Sequence, residues 1–193
     1  MLENKKVIAG AAVTILSLAL LIWYQGWAGV VTPPGPSVGD RITTSGPDPV
    51  SLSIPTLQLA APFVPLGLTA DKKLEVPGKP EQVGWYIHRA KPGDIGPAVV
   101  VGHLDTQAGK PAVFAKLHQV KPGDAIMVAR SDGSEAVFEV ESVQEYTQDT
   151  FPTEQVYGPI NYAGLRLVTC SGVYNKDLRH YSHNLIVFAK LVR

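Results

Sequence analysis

The chain of 193 residues is 45% apolar and 18% charged, and its 17 basic and 17 acidic side chains give a formal net charge of zero. That balance excludes an electrostatic nucleic-acid binder, which needs a basic face, and the apolar fraction excludes a disordered chain. Eighteen glycines and 16 prolines without a repeat point to a turn-rich, strand-rich fold, and a single cysteine excludes both an intramolecular disulfide and a multi-cysteine metal site.

No charged residue occurs between Lys6 and Asp40. Within that window Val7 to Tyr24 reads VIAGAAVTILSLALLIWY. Such a run is near the lower limit for crossing about 30 Å of hydrocarbon, and continuing to Val31 adds length. Trp23, Tyr24 and Trp27 gather at the far end, where aromatic rings favour the headgroup region. Lys5 and Lys6 precede the run, and no Lys or Arg follows until Arg41. The positive-inside bias therefore leaves the N-terminus cytosolic and the rest of the chain outside the cell membrane. A buried soluble helix and a cleaved signal peptide are the competing readings. The stretch Gln25-Gly-Trp-Ala-Gly29 offers no A-x-A cleavage site, so residues 1–31 are read as an uncleaved signal anchor.

Residues 32–50 (TPPGPSVGDRITTSGPDPV) have no apolar period and read as a linker stiffened by proline. Residues 51–193 then suit one domain with one core. Ser51–Leu57 alternates apolar and polar residues and is a predicted strand. Val64–Leu68 and Val83–His88 are strand-like, and Ala98–Val101 (AVVV) has the look of a strand buried on both faces. Ala112–Val120 has apolar residues at 113, 114, 117 and 120, a helical spacing, and Pro122-Gly123-Asp124 ends it. Ala125–Ala129 and Ala136–Val143 flank Ser131-Asp-Gly-Ser134, a hairpin pattern. Leu165–Cys170 and Asn184–Val192 complete the set. About eight short strands with one or two short helices are arranged most economically as a closed β-barrel, because closure hides the edges.

Cys170 ends a strand in LRLVTCSG and faces a turn, a place where reactive groups are presented. Such a thiol is inert and buried, an intermolecular linker, or a nucleophile, and a nucleophile needs a partner that favours the thiolate. Of histidines 88, 103, 118, 180 and 183, His103 is best placed. It leaves the buried AVVV strand through Gly102, which would let the backbone turn. His118 falls on the polar side of the predicted helix, His88 ends a strand, and His180 and His183 lie in a loop. Arg179, nine residues after Cys170 and just before the last strand, is a candidate to hold a developing oxyanion if the chain returns to face the thiol. A plain surface arginine is the alternative.

GHLD around His103, LVTC around Cys170, and Arg179 before a final strand resemble the sortases, the membrane-anchored cysteine transpeptidases of Gram-positive bacteria. Val83-Gly-Trp-Tyr86, Pro92-Gly93 and AVVVGHLD follow the same order, and the N-terminal anchor agrees. The resemblance runs from Ile54-Pro55 through the last strand. The compact domain is most like the small actinobacterial class F sortases. The resemblance implies an eight-stranded sortase barrel in which Cys170, His103 and Arg179 are catalytic. It also implies that Thr169 lines the substrate site, and that no cofactor or metal takes part. The implied substrates are LPxTG-like sorting signals of secreted proteins. The implied acceptor is an amine of a peptidoglycan precursor or a pilin. Asp105 reads as a loop-capping residue, not a third triad member.

Two departures stand out. The usual TLxTC has Thr where this chain has Arg166, which shares a strand face with Cys170 and is a candidate to tune sorting-signal preference or to reach solvent at the sheet edge. Asp48-Pro49 faintly resembles the start of a lid, but Val50 stands where an aromatic normally follows, so the segment is read as linker. Three rival functions remain. An L,D-transpeptidase would carry SHGC before its thiol, whereas Val168-Thr169 precede Cys170. A non-catalytic barrel that binds ligands on a membrane stalk would need none of the three residues, and a sortase-like peptidase would mainly hydrolyse.

Overall fold

A computed structural model of the chain describes residues 45–193. The predicted signal anchor and all but the end of the linker lie outside the described residues. Among the described residues, no helix is long and apolar enough to cross a membrane.

Eight strands close into a barrel: β1 (Pro49–Ile54), β2 (Leu59–Leu66), β3 (Val83–Tyr86), β4 (Gly96–Gly102), β5 (Ala125–Arg130), β6 (Glu135–Thr147), β7 (Ala163–Asn175) and β8 (His180–Leu191). Their order around the barrel is β1-β2-β3-β4-β7-β8-β6-β5. The β2/β3 and β4/β7 pairs are parallel and the rest antiparallel. The expected β-barrel is therefore present. Its first strand starts at Pro49, inside the predicted linker, and gives way at Pro55, where a 3-10 turn (Pro55–Leu57) follows. Proline has no N–H to donate, so a ladder ends readily there.

The barrel has two apolar faces. Ala98 and Val100 of β4, Leu165 and Leu167 of β7, and Leu185 and Val187 of β8 point into its interior. The alternate residues Val99, Val101, Val168, Ile186 and Phe188 point outward into a second core, closed over by Val156 and Tyr157 of the short helix α1 (Thr153–Tyr157). Every residue of β4 is buried, as expected of a strand packed on both faces.

The predicted helix over Ala112–Val120 does not form. Its backbone makes i-to-i−3 bonds, from Ala115 to Ala112, Leu117 to Phe114 and Val120 to Leu117, around a 3-10 turn at Leu117–Gln119. The segment lies between Pro111 and Pro122 and is too short to hold a helix by itself. Its apolar spacing still has a purpose, since Phe114, Leu117 and Val120 plug the barrel interior. His118 is exposed on that turn, as expected.

Candidate active site

The β4/β7 ladder brings the candidate nucleophile and base together. It pairs Val101 with Val168, both on the outer face. Two residues further along stand Cys170, on that same face of β7, and His103, the residue just past the end of β4. The backbone of His103 is fixed from behind: its carbonyl accepts from Phe114 N–H at 2.9 Å, and Phe114 is buried in the barrel. Gly102 adopts ordinary extended backbone in β4, so it is not needed for a turn. It leaves room instead, because a Cβ there would lie 2.5 Å from the Phe114 ring.

His103 Nε2 donates to the Pro77 carbonyl at 2.6 Å. Burial pushes the imidazole pKa down, opposed by that bond and by the nearby Asp105 carboxylate. Cys170 is 8% exposed. Burial, with a further push from Asp105, raises its thiol to about 12. Both groups therefore rest uncharged at neutral pH. On the opposite side of Cys170, the β7/β8 ladder places the fully buried Asn184 directly across from the thiol-bearing residue.

The other expected site residues fall elsewhere. Thr169 points to the opposite face of β7, where its hydroxyl donates to the Gly102 carbonyl at 2.9 Å. It supports the His103 loop from inside the barrel and does not line the groove.

Arg166 does share the outer face with Cys170, but it is buried and does not reach solvent. Its guanidinium donates to the Gln155 carbonyl of α1 at 3.2 Å and to the Tyr162 hydroxyl at 3.2 Å, and lies 5.0 Å from the centre of the Phe188 ring. Val168 separates it from Cys170 on that face. Arg166 therefore ties α1 to the sheet, and the expected alternative that it reaches solvent at the sheet edge is ruled out by its burial.

Arg179 immediately precedes β8, at the outer end of its ladder with β7. The register Cys170–Asn184, Ser171–His183, Tyr174–Tyr181, Asn175–His180 puts it on the exposed tip of the β7/β8 hairpin, in left-handed backbone (φ 55°). It lies five residues before Asn184 in the chain, one residue outside β8.

Two further residues neighbour the thiol: Tyr181, which the sequence did not single out, and Asp105, which it read as a loop cap. Tyr181, on β8, donates its hydroxyl to Asp105 Oδ2 at 2.5 Å. Burial and the charges of Asp105 and Cys170 push the Tyr181 hydroxyl pKa well up. Asp105 stood beside His103 in GHLD, which was the available signal for it. Nothing in the sequence marked Tyr181. Among the described residues, no group of three or more His, Cys, Asp or Glu side chains could hold a metal ion.

A family model described as the sortase domain matches residues 52–192. No curated protein sequence matches the chain. The fold is similar to that of a lid mutant of sortase A from Corynebacterium diphtheriae, at 24% identity over 76% of this chain and 71% of that one, with a TM-score of 0.57. It is also similar to sortase C-1 from Actinomyces oris, at 23% identity over 76% and 74% of the two chains, TM-score 0.57. A third similar structure is sortase C2 of pilus island 1 of group B Streptococcus, at 19% identity over 74% and 73%, TM-score 0.54. With the family model spanning nearly all of the barrel and the fold shared with these solved structures, the chain belongs to the sortase family, whose members are cysteine transpeptidases.

Proposed function

We propose that this chain is a membrane-anchored transpeptidase of the small class F type, held by residues 7–31 with its barrel outside the cell, and that it cleaves an LPxTG-like sorting signal. The observation that supports this reading is the parallel β4/β7 ladder, which pairs Val101 with Val168, each two residues before His103 and Cys170. Cys170, as thiolate, attacks the carbonyl carbon of the signal's Thr. The C–N bond to the next residue breaks, and His103, as imidazolium, gives the leaving amine its proton. An acceptor amine from a peptidoglycan precursor or a pilin then attacks the thioester. His103 takes the proton from that amine, and the thiolate leaves.

The resting pair is uncharged, so the reactive thiolate–imidazolium form is a minor one and turnover is slow. Asn184, across from Cys170, is the side chain whose register suits donation to the oxyanion. Arg179 would have to fold down from the hairpin tip to do so. The test is to incubate the full chain with LPxTG-like peptides, with and without an added amine. A peptide–amine product that disappears in Cys170→Ala supports the reading. Free acid alone, whatever the amine concentration, would make the enzyme a peptidase.

A further inference from the structure

In the barrel order β4 and β8 flank β7 on its two sides. Asp105 lies in the loop that continues β4, and Tyr181 lies on β8. Their 2.5 Å hydrogen bond therefore joins the two neighbours of β7, and its Tyr181 end pairs with Tyr174, four residues beyond Cys170. Both ends are held. Asp105 is bridged to Pro111, and the Tyr181 ring packs on Tyr174 of β7 with centroids 5.1 Å apart. Cys170, on the same strand, is 8% exposed, and Asp105 is close enough for its charge to act on the thiol. The titratable groups that face the thiol are His103 and Asp105 from the loop after β4, Tyr181 from β8 and, behind it, Tyr174 from β7 itself. Asp105 is the charged member of that set.

We propose that Asp105 and Tyr181 form a strap over Cys170 and act as positioning residues of the site. Closed, the strap covers the thiol and holds a carboxylate beside it. An entering peptide opens it. The carboxylate has opposite effects on the two groups, because a negative charge disfavours a thiolate and favours an imidazolium. It therefore restrains Cys170 at rest while supporting His103 as the acid that protonates the leaving amine. This second role rests on the transpeptidase reading, whereas the first does not.

The experiment measures alkylation of Cys170 by iodoacetamide, by intact mass, from pH 6 to 10. It compares the full chain with Tyr181→Phe and Asp105→Asn, and follows cleavage of an LPxTG-like peptide in parallel. Both variants are expected to alkylate faster at neutral pH. For Asp105→Asn, loss of the carboxylate lowers the thiol pKa, and each tenfold gain in thiolate is cut to about threefold by its weaker nucleophilicity. Asp105→Asn should also cleave peptide more slowly, a split that simple loosening of the fold does not produce. Folded variants that alkylate at the parent rate would overturn the strap. If Asp105→Asn fails to fold, Tyr181→Phe, which removes a single hydroxyl, decides. Alkylation needs no turnover, so a chain inactive on every peptide would sink the transpeptidase reading and leave the strap judged by its own result.

Discussion

The thiol of Cys170 and the imidazole of His103 are held apart from charge by burial, and each was legible in the sequence for the same reason. His103 follows the buried strand β4 directly and Cys170 lies within the buried stretch of β7, which runs on to Asn175 and does not end at the thiol as expected; in both places a polar side chain has no structural reason to sit. The roles expected of Thr169, Arg166 and Arg179 were not legible, because they depend on strand parity and register. One residue of offset turns a side chain to the other face of a sheet. Thr169 differs from Cys170 by one position and so faces the interior, while Arg166 has the right parity but lies under α1. The eight residues between Cys170 and Arg179 looked like a tight return, but the hairpin runs out to its tip at residues 176–179 before coming back. A consequence follows for the oxyanion. Asn184→Ala is expected to lower kcat/KM for a sorting peptide by about 10²–10³, the typical cost of losing one such donor, and Arg179→Ala by less than about tenfold. Steady-state kinetics on the two variants checks this. The reverse order would return the oxyanion to the hairpin tip.

Among the elements, the outer part of the β7/β8 hairpin matters most to the site, since it carries Tyr181. It is set off from the inner ladder by an irregularity between Ser171 and Tyr174. Gly172 sits in that break with φ at 78°, and a Cβ there would fall 2.4 Å from Ser182 Oγ and 2.5 Å from His183 Nδ1. Gly172→Ala is therefore expected to cost about 1–3 kcal/mol and to displace Tyr181 from Asp105, with faster alkylation of Cys170 as its signature. Thermal unfolding and the alkylation rate measure the two effects, and an unchanged rate in a destabilised variant would detach the hairpin's shape from the site. The strands were readable from alternation and from the AVVV run. The helix expected over Ala112–Val120 and the missed α1 show where periodicity fails. In the first, apolar spacing reported burial of Phe114 and Leu117 without helical hydrogen bonding. The five residues of α1 are too few to show a period at all.

At the scale of the whole molecule, the linker's end is fastened away from the chemistry. Gly46 N–H donates to Asp94 Oδ2 at 3.2 Å, Asp48 pairs with Lys91 at 2.8 Å, and Asp48 N–H donates to Ser131 Oγ at 3.1 Å. Asp94 precedes β4 and Ser131 follows β5, so these contacts mark the end of the barrel opposite Cys170. The resemblance of Asp48-Pro49 to a lid therefore has no counterpart in position.

The buried thiol also ties stability to pH. Its folded pKa is raised, so its contribution is complete below the unfolded value near 8.5 and falls as pH climbs toward about 12. Between pH 8.5 and 10, before the tyrosines titrate in the unfolded chain, the loss approaches about 1.4 kcal/mol per pH unit. Urea unfolding should show this slope and should show it flattened in Cys170→Ala. An equal slope in the variant would mean that the thiol is not held neutral by the fold.

The most direct measurement for the account as a whole is intact mass spectrometry of the full chain mixed with LPxTG-like peptides and quenched in acid before an acceptor amine is added. The account expects a thioacyl adduct on Cys170 that retains the peptide through its Thr, is absent from Cys170→Ala, forms far more slowly in His103→Ala, and is discharged by the amine. A folded chain whose Cys170 takes up iodoacetamide but never forms the adduct with any of these peptides would contradict it.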